Sequence, residues 1–277
     1  AEIVITPGFL FETAIYEAQT QHPDVKFVLI DGEPNDGDWD NGPDFYTADN
    51  TINILFAEHE SGFLAGYAAV KDGYENLGFM GGMAVPAVVR FGIGFVAGAH
   101  YAADELDIDI TFPNNRYTYL GDFEASDSHV NQALAWYNGG TDLIFAAAGG
   151  AGSSVMNAAE QSNTMMIGVD VDQSSSSTTV LTSAMKDLGV AVQQVLEDFY
   201  SDSFVGGRTQ IKDATDEGVA LPMENSRFET FTQADYDAIY GQIASGTINV
   251  PATYTELESF FSANGLGDLN IERGTIQ

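Results

Sequence analysis

Short apolar, strand-like runs alternate with helix-like segments over the first 170 residues, and this alternation constrains the fold more than any other feature of the sequence. Such alternation is typical of βαβ units, whose strands form parallel sheets covered by helices on both faces. The sequence predicts strands at residues 3–5, 25–30, 52–56, 77–80, 108–112, 143–147 and 165–169. It predicts helices at residues 11–20, 61–70, 88–106, 127–137, 153–161 and 235–244, and a segment at 180–200 that begins extended and becomes helical near Ala184.

Composition and charge narrow the possible partners. The 277 residues are 44% hydrophobic, which is enough for one large α/β domain or for two lobes. Asp and Glu total 41 against 9 Lys and Arg, so the formal net charge is −32. A surface this negative repels phosphate backbones and anionic headgroups, which disfavours binding to nucleic acid or to a membrane surface. There is no cysteine, which excludes disulfides and thiolate chemistry.

Candidate ligand-binding residues follow two of the predicted strands. Gly149-Gly150 follow the strand at residues 143–147 after one alanine, and Asp170 ends the run at 165–169. Ligands of open α/β sheets bind beyond the carboxyl ends of the strands. The glycines either admit a ligand to the backbone or only form a tight turn. The Asp170 carboxylate either accepts hydrogen bonds from vicinal sugar hydroxyls or caps a helix.

Two further side chains are candidates on weaker grounds. Lys186 is one of few basic residues, and it either pairs with Asp170, donates to a ligand hydroxyl, or is a solvated helix lysine. Phe91 follows a Gly-rich turn and either stacks on a planar base or packs in the core.

No catalytic, metal or cofactor motif is present in the sequence. The four histidines lack the spacing of a metal site, although His59 lies between Glu58 and Glu60. Neither a GxSxG elbow, a GxGxxG after a strand, nor a GxxxxGK[ST] loop occurs. The residues therefore predict no catalytic group, no metal and no cofactor, and a protein that is not an enzyme.

Seven segments, in order along the chain, resemble the basic-membrane-protein (BMP), or PnrA-like, family. These proteins are substrate-binding lipoproteins of ABC transporters for nucleosides. The matching segments are His22–Gly32, Phe56–Ala69, Leu77–Tyr101, Asp142–Val155, Ile167–Gln173, Thr182–Gly189 and Ile243–Pro251.

The resemblance implies an α/β, periplasmic-binding-protein type I fold, with two lobes of helix-flanked parallel sheets and a ligand in the cleft between them. Lobe one would comprise residues 1–75 and about 178–206, and lobe two residues 76–177 and about 207–277. The family begins with two further βα units that carry a D-(D/N)-x-S-F-N segment. That segment is not in this sequence, so lobe one is expected to be incomplete.

The resemblance also implies a function, the capture of a purine nucleoside for uptake. It suggests that Phe91 stacks on the base, and that Asp170 and Lys186 hold the ribose hydroxyls. Gly149 and Gly150 would line the cleft, and Gly8 and Phe9 would contribute from lobe one. Gly92 departs from the family, which usually has Glu at this position.

The same resemblance implies a location and a set of partners. The protein is expected to be a monomer outside the cytoplasm, delivering its nucleoside to an ABC permease. A lipid anchor that is not in this sequence would hold it at the cell membrane.

Three alternatives remain open from the sequence. A receptor of the same fold would bind a sugar or an autoinducer, and a sensory domain would serve no transporter. A nucleoside hydrolase would need an Asp-rich calcium motif, for which residues 36–44 (DGDWDNGPD) are acidic but have the composition of a loop.

Overall fold

The computed structural model describes residues 1–276 and contains two sheets that are parallel except for one short strand. The strands are β1 Ile3–Pro7, β2 Lys26–Ile30, β3 Thr51–Phe56, β4 Leu77–Gly81, β5 Tyr117–Tyr119, β6 Leu143–Ala147, β7 Met165–Asp170, β8 Val180–Lys186, β9 Arg208–Lys212 and β10 Val219–Ala220. The α-helices are α1 Glu12–Gln21, α2 Glu58–Lys71, α3 Pro86–Leu106, α4 Asp127–Asn138, α5 Gly152–Ser162, α6 Leu188–Tyr200, α7 Gln233–Ala244, α8 Tyr254–Asn264 and α9 Arg273–Ile276.

The chain divides into two compact units, each built from separate segments. Unit 1 comprises residues 1–57 and 187–218, and unit 2 comprises residues 58–186 and 219–277. These limits differ from the lobes that the family resemblance implies. Residues 58–75 pack in unit 2 because α2 lies along α3, and residues 178–186 do so because β8 pairs with β7. Residues 207–218 pack in unit 1 because β9 pairs with β3.

Unit 1 is a four-stranded parallel sheet in the order β1-β2-β3-β9. The central strands β2 and β3 are almost entirely buried, as expected for the inner strands of a parallel sheet. On one face, Ile15 of α1 packs on Phe27 and Leu29 of β2. The carboxyl ends of β1 and β2 adjoin each other because the two strands pair in parallel, and the Gly8 amide donates to the Ile30 carbonyl at 2.6 Å.

Unit 2 is a six-stranded sheet in the order β10-β8-β7-β6-β4-β5, in which only the short β10 is antiparallel. Side chains alternate across it. Met80 and Ile144 join Trp136 of α4 and Val155 of α5 in one apolar cluster. Phe79 of β4 and Phe145 of β6, each next to a residue of that cluster in the sequence, face the other side of the sheet. Their two rings are in contact, and Phe145 meets Phe95 of α3 with centroids 5.2 Å apart. The sheet is thus covered by helices on both faces.

Helices α2 and α3 cross in direct backbone contact through four glycines. A Cβ atom on Gly62 or Gly66 would overlap the carbonyl oxygen of a residue in α3, and a Cβ atom on Gly94 or Gly98 would overlap a carbonyl oxygen of α2. Both pairs are spaced by four residues, which places each pair on one face of its helix. The crossing therefore fixes the spacing of the two helices by backbone contact alone.

Most predicted elements are confirmed within one to three residues at each end. The predicted strand at residues 108–112 is wrong: only Thr111 forms a bridge there, to Asn76, and β5 at Tyr117–Tyr119 occupies the place beside β4. The apolar residue that suggested a strand, Phe112, is buried against Phe95 and Tyr117 instead. Residues 180–200 begin as β8 and continue as helix α6, which starts at Leu188, four residues later than predicted. Strands β9 and β10 and helix α8 were not predicted.

No helix within residues 1–276 combines the length and the apolarity needed to cross a membrane.

One buried histidine is expected to make the stability of unit 2 depend on pH. The His100 ring packs on Phe261 with centroids 4.8 Å apart, and its buried Nε2 atom lacks a hydrogen-bond partner in the described structure. Burial lowers the pKa of His100 to about 4. An unfolded histidine has a pKa of about 6.5, so between these values only the unfolded chain takes up the proton. Stability should therefore fall as the pH falls through this window.

The expected loss from His100 alone is about 2 kcal/mol of unfolding free energy between pH 7 and pH 5. Urea unfolding at the two pH values measures it. Because many carboxylates also titrate at low pH, the comparison is with His100→Gln, in which the pH-dependent loss should be about 2 kcal/mol smaller. Identical pH dependence in the two proteins would show that His100 does not contribute.

Candidate functional site

Four charged side chains of alternating sign form a line at the carboxyl ends of β7 and β8 and the amino-terminal parts of α2 and α3. Asp170 pairs with Lys186 at 3.0 Å between Oδ1 and Nζ. Lys186 Nζ lies 4.0 Å from Oε1 of Glu58, and Oε2 of Glu58 accepts from Nε of Arg90 at 2.6 Å. We call these four residues the charge chain. Its two central members are buried, with side chains 4% (Lys186) and 1% (Glu58) exposed, whereas the Asp170 side chain is 43% exposed.

The backbone at Asp170 directs its carboxylate. Asp170 ends β7 with φ of 68°, and the Val171 amide donates to the Val169 carbonyl at 2.8 Å across it. Aspartate is one of the few residues other than glycine that adopts positive φ with modest strain. Residues held in this conformation cluster at functional sites. The turn ends the strand sharply at the residue whose carboxylate meets Lys186, so the pairing of Lys186 with Asp170 that the sequence suggested is present.

Lys186 is positioned by its strand and by an aromatic ring. It ends β8, which runs parallel to β7, and Met185 of β8 is in register with Asp170. Its Nζ atom lies 5.6 Å from the ring centroid of Phe91, within the range of a cation–π interaction. A buried ammonium needs compensating charge, which the carboxylates of Asp170 and Glu58 supply.

Phe91 is almost completely buried. Its side chain is 2% exposed and meets the Phe145 ring edge-on, with centroids 5.9 Å apart. Its predicted role in base stacking stays a prediction, and in this structure the ring lies against Phe145 and near the Lys186 ammonium.

Two predicted site residues, Gly149 and Gly150, follow β6, the strand next to β7 in the sheet order. Gly149 and Gly150 form a short 3₁₀ turn between β6 and α5, and both are exposed. Strand β6 pairs with β7, so the glycine turn and Asp170 follow neighbouring strands at the same edge of the sheet. A side chain at Gly150 would press on the Phe123 carbonyl, with its Cβ 2.8 Å from that oxygen. The turn therefore leaves exposed backbone where ligands of this fold class bind.

The two predicted residues of unit 1 lie at a strand end there. Gly8 follows β1 with φ of 98°, a conformation that favours glycine, and Phe9 begins a short 3₁₀ turn that leads into α1. Both residues are partly exposed.

The surroundings of Gly92 explain why this position lacks the Glu that the resemblance led us to expect. A Cβ atom there would overlap the Tyr117 hydroxyl and come within 2.9 Å of the Phe79 ring. Tyr117 is fully buried, and burial holds the pKa of its hydroxyl well above the usual value. The space that a side chain at position 92 would need is therefore filled by a neutral tyrosine.

The sequence interpretation missed Glu58 and Arg90 as members of the site. It noted Glu58 only beside His59 and did not consider Arg90 as a site residue. The available signal was their position, since Glu58 lies one helical turn before Gly62 and Arg90 one turn before Gly94. A glycine-mediated crossing of the two helices brings such residues together.

Two further observations concern metal sites and cavities. Within residues 1–276, no group of three or more His, Asp or Glu side chains could hold a metal ion. A cavity of about 500 Å³ in unit 2 is bordered by Tyr101, Phe260 and residues 247–251, and none of the predicted site residues lines it.

Comparison with known proteins assigns the chain to a family. A family model described as ABC transporter substrate-binding protein PnrA-like (Bmp) matches residues 1–254. The chain belongs to the PnrA-like (Bmp) family. Proteins of this family bind small molecules outside the cytoplasm and work with a permease.

Relatives and a solved structure agree with the family assignment. The ABC transporter nucleoside-binding protein BmpA of Lactococcus lactis subsp. cremoris (strain MG1363) is 30% identical over 258 residues, which cover 85% of this chain and 68% of that protein. Basic membrane protein A of Borreliella burgdorferi (strain ATCC 35210 / DSM 4680 / CIP 102532 / B31) is 28% identical, covering 94% of this chain and 74% of that protein.

The crystal structure of an ABC transporter solute-binding protein from Aeropyrum pernix K1 is similar, with a TM-score of 0.76 at 20% identity, covering 96% of this chain and 82% of that one. The fold of this PnrA-like protein is thus the α/β periplasmic-binding-protein type I fold.

Proposed function

We propose that this PnrA-like protein captures a purine nucleoside and delivers it to the permease of an ABC transporter. The observation that carries the proposal is the Asp170–Lys186 pair, in which a half-exposed carboxylate and a buried ammonium lie 3.0 Å apart at adjoining strand ends. A carboxylate accepts from two vicinal hydroxyls, and an ammonium donates to a hydroxyl oxygen, so the pair matches the ribose of a nucleoside. The name of the Lactococcus relative, a nucleoside-binding protein, supports the same ligand class.

The remaining predicted residues complete the proposal. Gly149 and Gly150 would let the ligand approach the backbone beside Asp170, and Phe91 would contact the base. Gly8 and Phe9 of unit 1 are proposed as further contacts. We propose that the protein acts as a monomer outside the cytoplasm, held at the cell membrane by a lipid anchor, and that it makes and breaks no bond.

The geometry offers less support for a hydrolase. Residues 36–44 form a loop in which the carboxylates of Asp36 and Asp38 accept hydrogen bonds from the loop itself. Asp36 Oδ1 accepts from the amides of Asp38 and Asp44, and Asp38 accepts from the side chain of Asn41. These carboxylates thus order their own loop.

Replacing Asp170 with alanine is expected to weaken inosine binding by about 1–3 kcal/mol, because ribose hydroxyls lose their acceptor. Isothermal titration calorimetry with inosine, guanosine, free ribose and an autoinducer measures both the affinity and the ligand class. The parent protein should bind a purine nucleoside much more tightly than ribose.

A matched variant separates the carboxylate from the backbone turn. Asp170→Asn keeps a side chain that tolerates positive φ but lacks the negative charge. It should also bind inosine more weakly than the parent. Normal affinity in this variant, with a loss only in Asp170→Ala, would assign the effect to backbone strain. A parent that binds ribose or the autoinducer but no nucleoside would reject the proposed ligand.

A further inference from the structure

Glu58 is a buried carboxylate held between two cations, and no ligand contact predicted from the sequence includes it. Its Oε2 atom accepts from Arg90 Nε at 2.6 Å, while Oε1 lies 4.0 Å from Lys186 Nζ. The side chain is 1% exposed. A charge in such a place is costly to bury unless it is paired, so Glu58 and its two cations depend on one another.

The fold holds Glu58 and Arg90 rigidly. Glu58 begins α2, where the helix dipole favours a negative charge, and Arg90 lies in the second turn of α3. Directly after them the two helices cross with their backbones in contact at Gly62 and Gly94. Since the two backbones touch at both glycines, a shift of one helix along the other would break these contacts. The Glu58–Arg90 pair is therefore a fixed element at the opposite end of the charge chain from the more exposed Asp170.

Asp170 and Glu58 are the two carboxylates near Lys186, and they differ in their exposure to solvent. The Asp170 side chain is 43% exposed and is accessible to a ligand, whereas the Glu58 side chain is buried. When ribose hydroxyls bind to Asp170, they compete with Lys186 for its oxygens. Glu58 then remains as a counterion for the buried ammonium beside the end of β7.

We propose that Glu58, itself held by Arg90, is the positioning residue of the nucleoside site: it fixes the charged Lys186 ammonium where it donates to the ribose hydroxyls. The inference rests on the proposed function and adds to it a residue that acts through Lys186 without touching the ligand. Its effect must therefore depend on the presence of the hydroxyls.

The test compares two ligands that differ only in those hydroxyls, inosine and 2′,3′-dideoxyinosine, by calorimetry on the intact chain. Glu58→Gln is nearly isosteric and removes only the charge. It should weaken inosine binding about tenfold or more, as expected for a hydrogen bond from a charged donor, and change dideoxyinosine binding less than about twofold. Arg90→Gln acts on Lys186 only through Glu58. It should lower the ratio of inosine affinity to dideoxyinosine affinity by about threefold.

A matched control lies at the other end of the same helix pair. Glu105 of α3 pairs with Lys71 of α2 at 2.8 Å, so Glu105→Gln also removes one carboxylate from an α2–α3 ion pair. It should leave both affinities unchanged.

The outcomes separate the two proposals. Equal losses for both ligands in Glu58→Gln, or no loss for either, overturn the positioning role. If Glu58→Gln does not fold, the ratio measured in Arg90→Gln decides, and an unchanged ratio overturns the role. A parent protein that binds neither ligand overturns the nucleoside function itself, and with it the role that depends on it.

Discussion

Gly94→Ala is expected to lower the free energy of unfolding by about 2 kcal/mol, although alanine is the better helix former. The new Cβ atom would overlap the carbonyl oxygen of His59, which belongs to the rigid backbone of α2 and cannot turn away as a side chain could. The helices must separate, which opens space along a crossing in which Phe63 and Phe95 are fully buried. Overpacking of this kind typically costs 1–3 kcal/mol and occasionally more, which exceeds the gain of about 1 kcal/mol from helix propensity.

Gly241→Ala is the matched control, because Gly241 lies inside α7 with open space where a Cβ atom would be. This variant should be more stable than the parent by about 0.5–1 kcal/mol. Urea unfolding followed by circular dichroism measures both variants. If Gly94→Ala were as stable as Gly241→Ala, the close crossing of α2 and α3 would be wrong. The structure of the charge chain would then lose its support, since Glu58 and Arg90 meet only because these helices touch.

Raising the ionic strength from about 0.01 M to about 1 M at pH 7 is expected to raise the melting temperature by roughly 5–10 °C. The cause is the net charge of −32, whose self-repulsion opposes the compact state. The acidic side chains are locally dense: Asp36, Asp38, Asp40 and Asp44 are all exposed within nine residues. Salt shortens the Debye length from about 30 Å to about 3 Å over this range and so screens the repulsion.

The salt effect has a distinctive form if screening is its cause. NaCl and KCl at equal ionic strength should act equally. Most of the rise should occur well below 1 M, because the Debye length already falls from about 30 Å to about 10 Å between about 0.01 M and about 0.1 M. A melting temperature that does not change, or that rises only at molar salt, would show that charge repulsion does not limit the stability of the fold.

Local patterns predicted most of the fold, and long-range pairing explains what they missed. Strands such as β2 and β6 are short, continuous apolar runs, so the sequence marks them clearly. Strand β9, with the sequence RTQIK, is mostly exposed at the edge of its sheet and has little apolar signal. Strand β10 has two residues and exists through its pairing with β8. Such elements depend on partners distant in sequence, which local propensity does not encode.

The sequence likewise predicted some residues of the candidate site and missed others. Asp170 could be proposed because it ends an apolar strand, and carboxyl ends of strands form the binding edge of this fold class. Its pairing with Lys186 was one of several alternatives and needed the register of β7 and β8 to be known. Glu58 and Arg90 are 32 residues apart on different helices, and their contact depends on the geometry of a helix crossing. The only signal in the sequence is that each residue lies one helical turn before a glycine, and its meaning depends on knowing that the two helices cross at those glycines.

The division of the chain into interleaved segments has a consequence for its biosynthesis. Strand β3 gains its outer neighbour β9 only after more than 150 further residues have been made, and residues 219–277 of the other unit follow later still. While the ribosome is still translating, the early sheet must wait with an unpaired strand edge, a template on which neighbouring chains can aggregate. The abundance of like charges on this chain would keep such unfinished molecules apart until the last segments arrive.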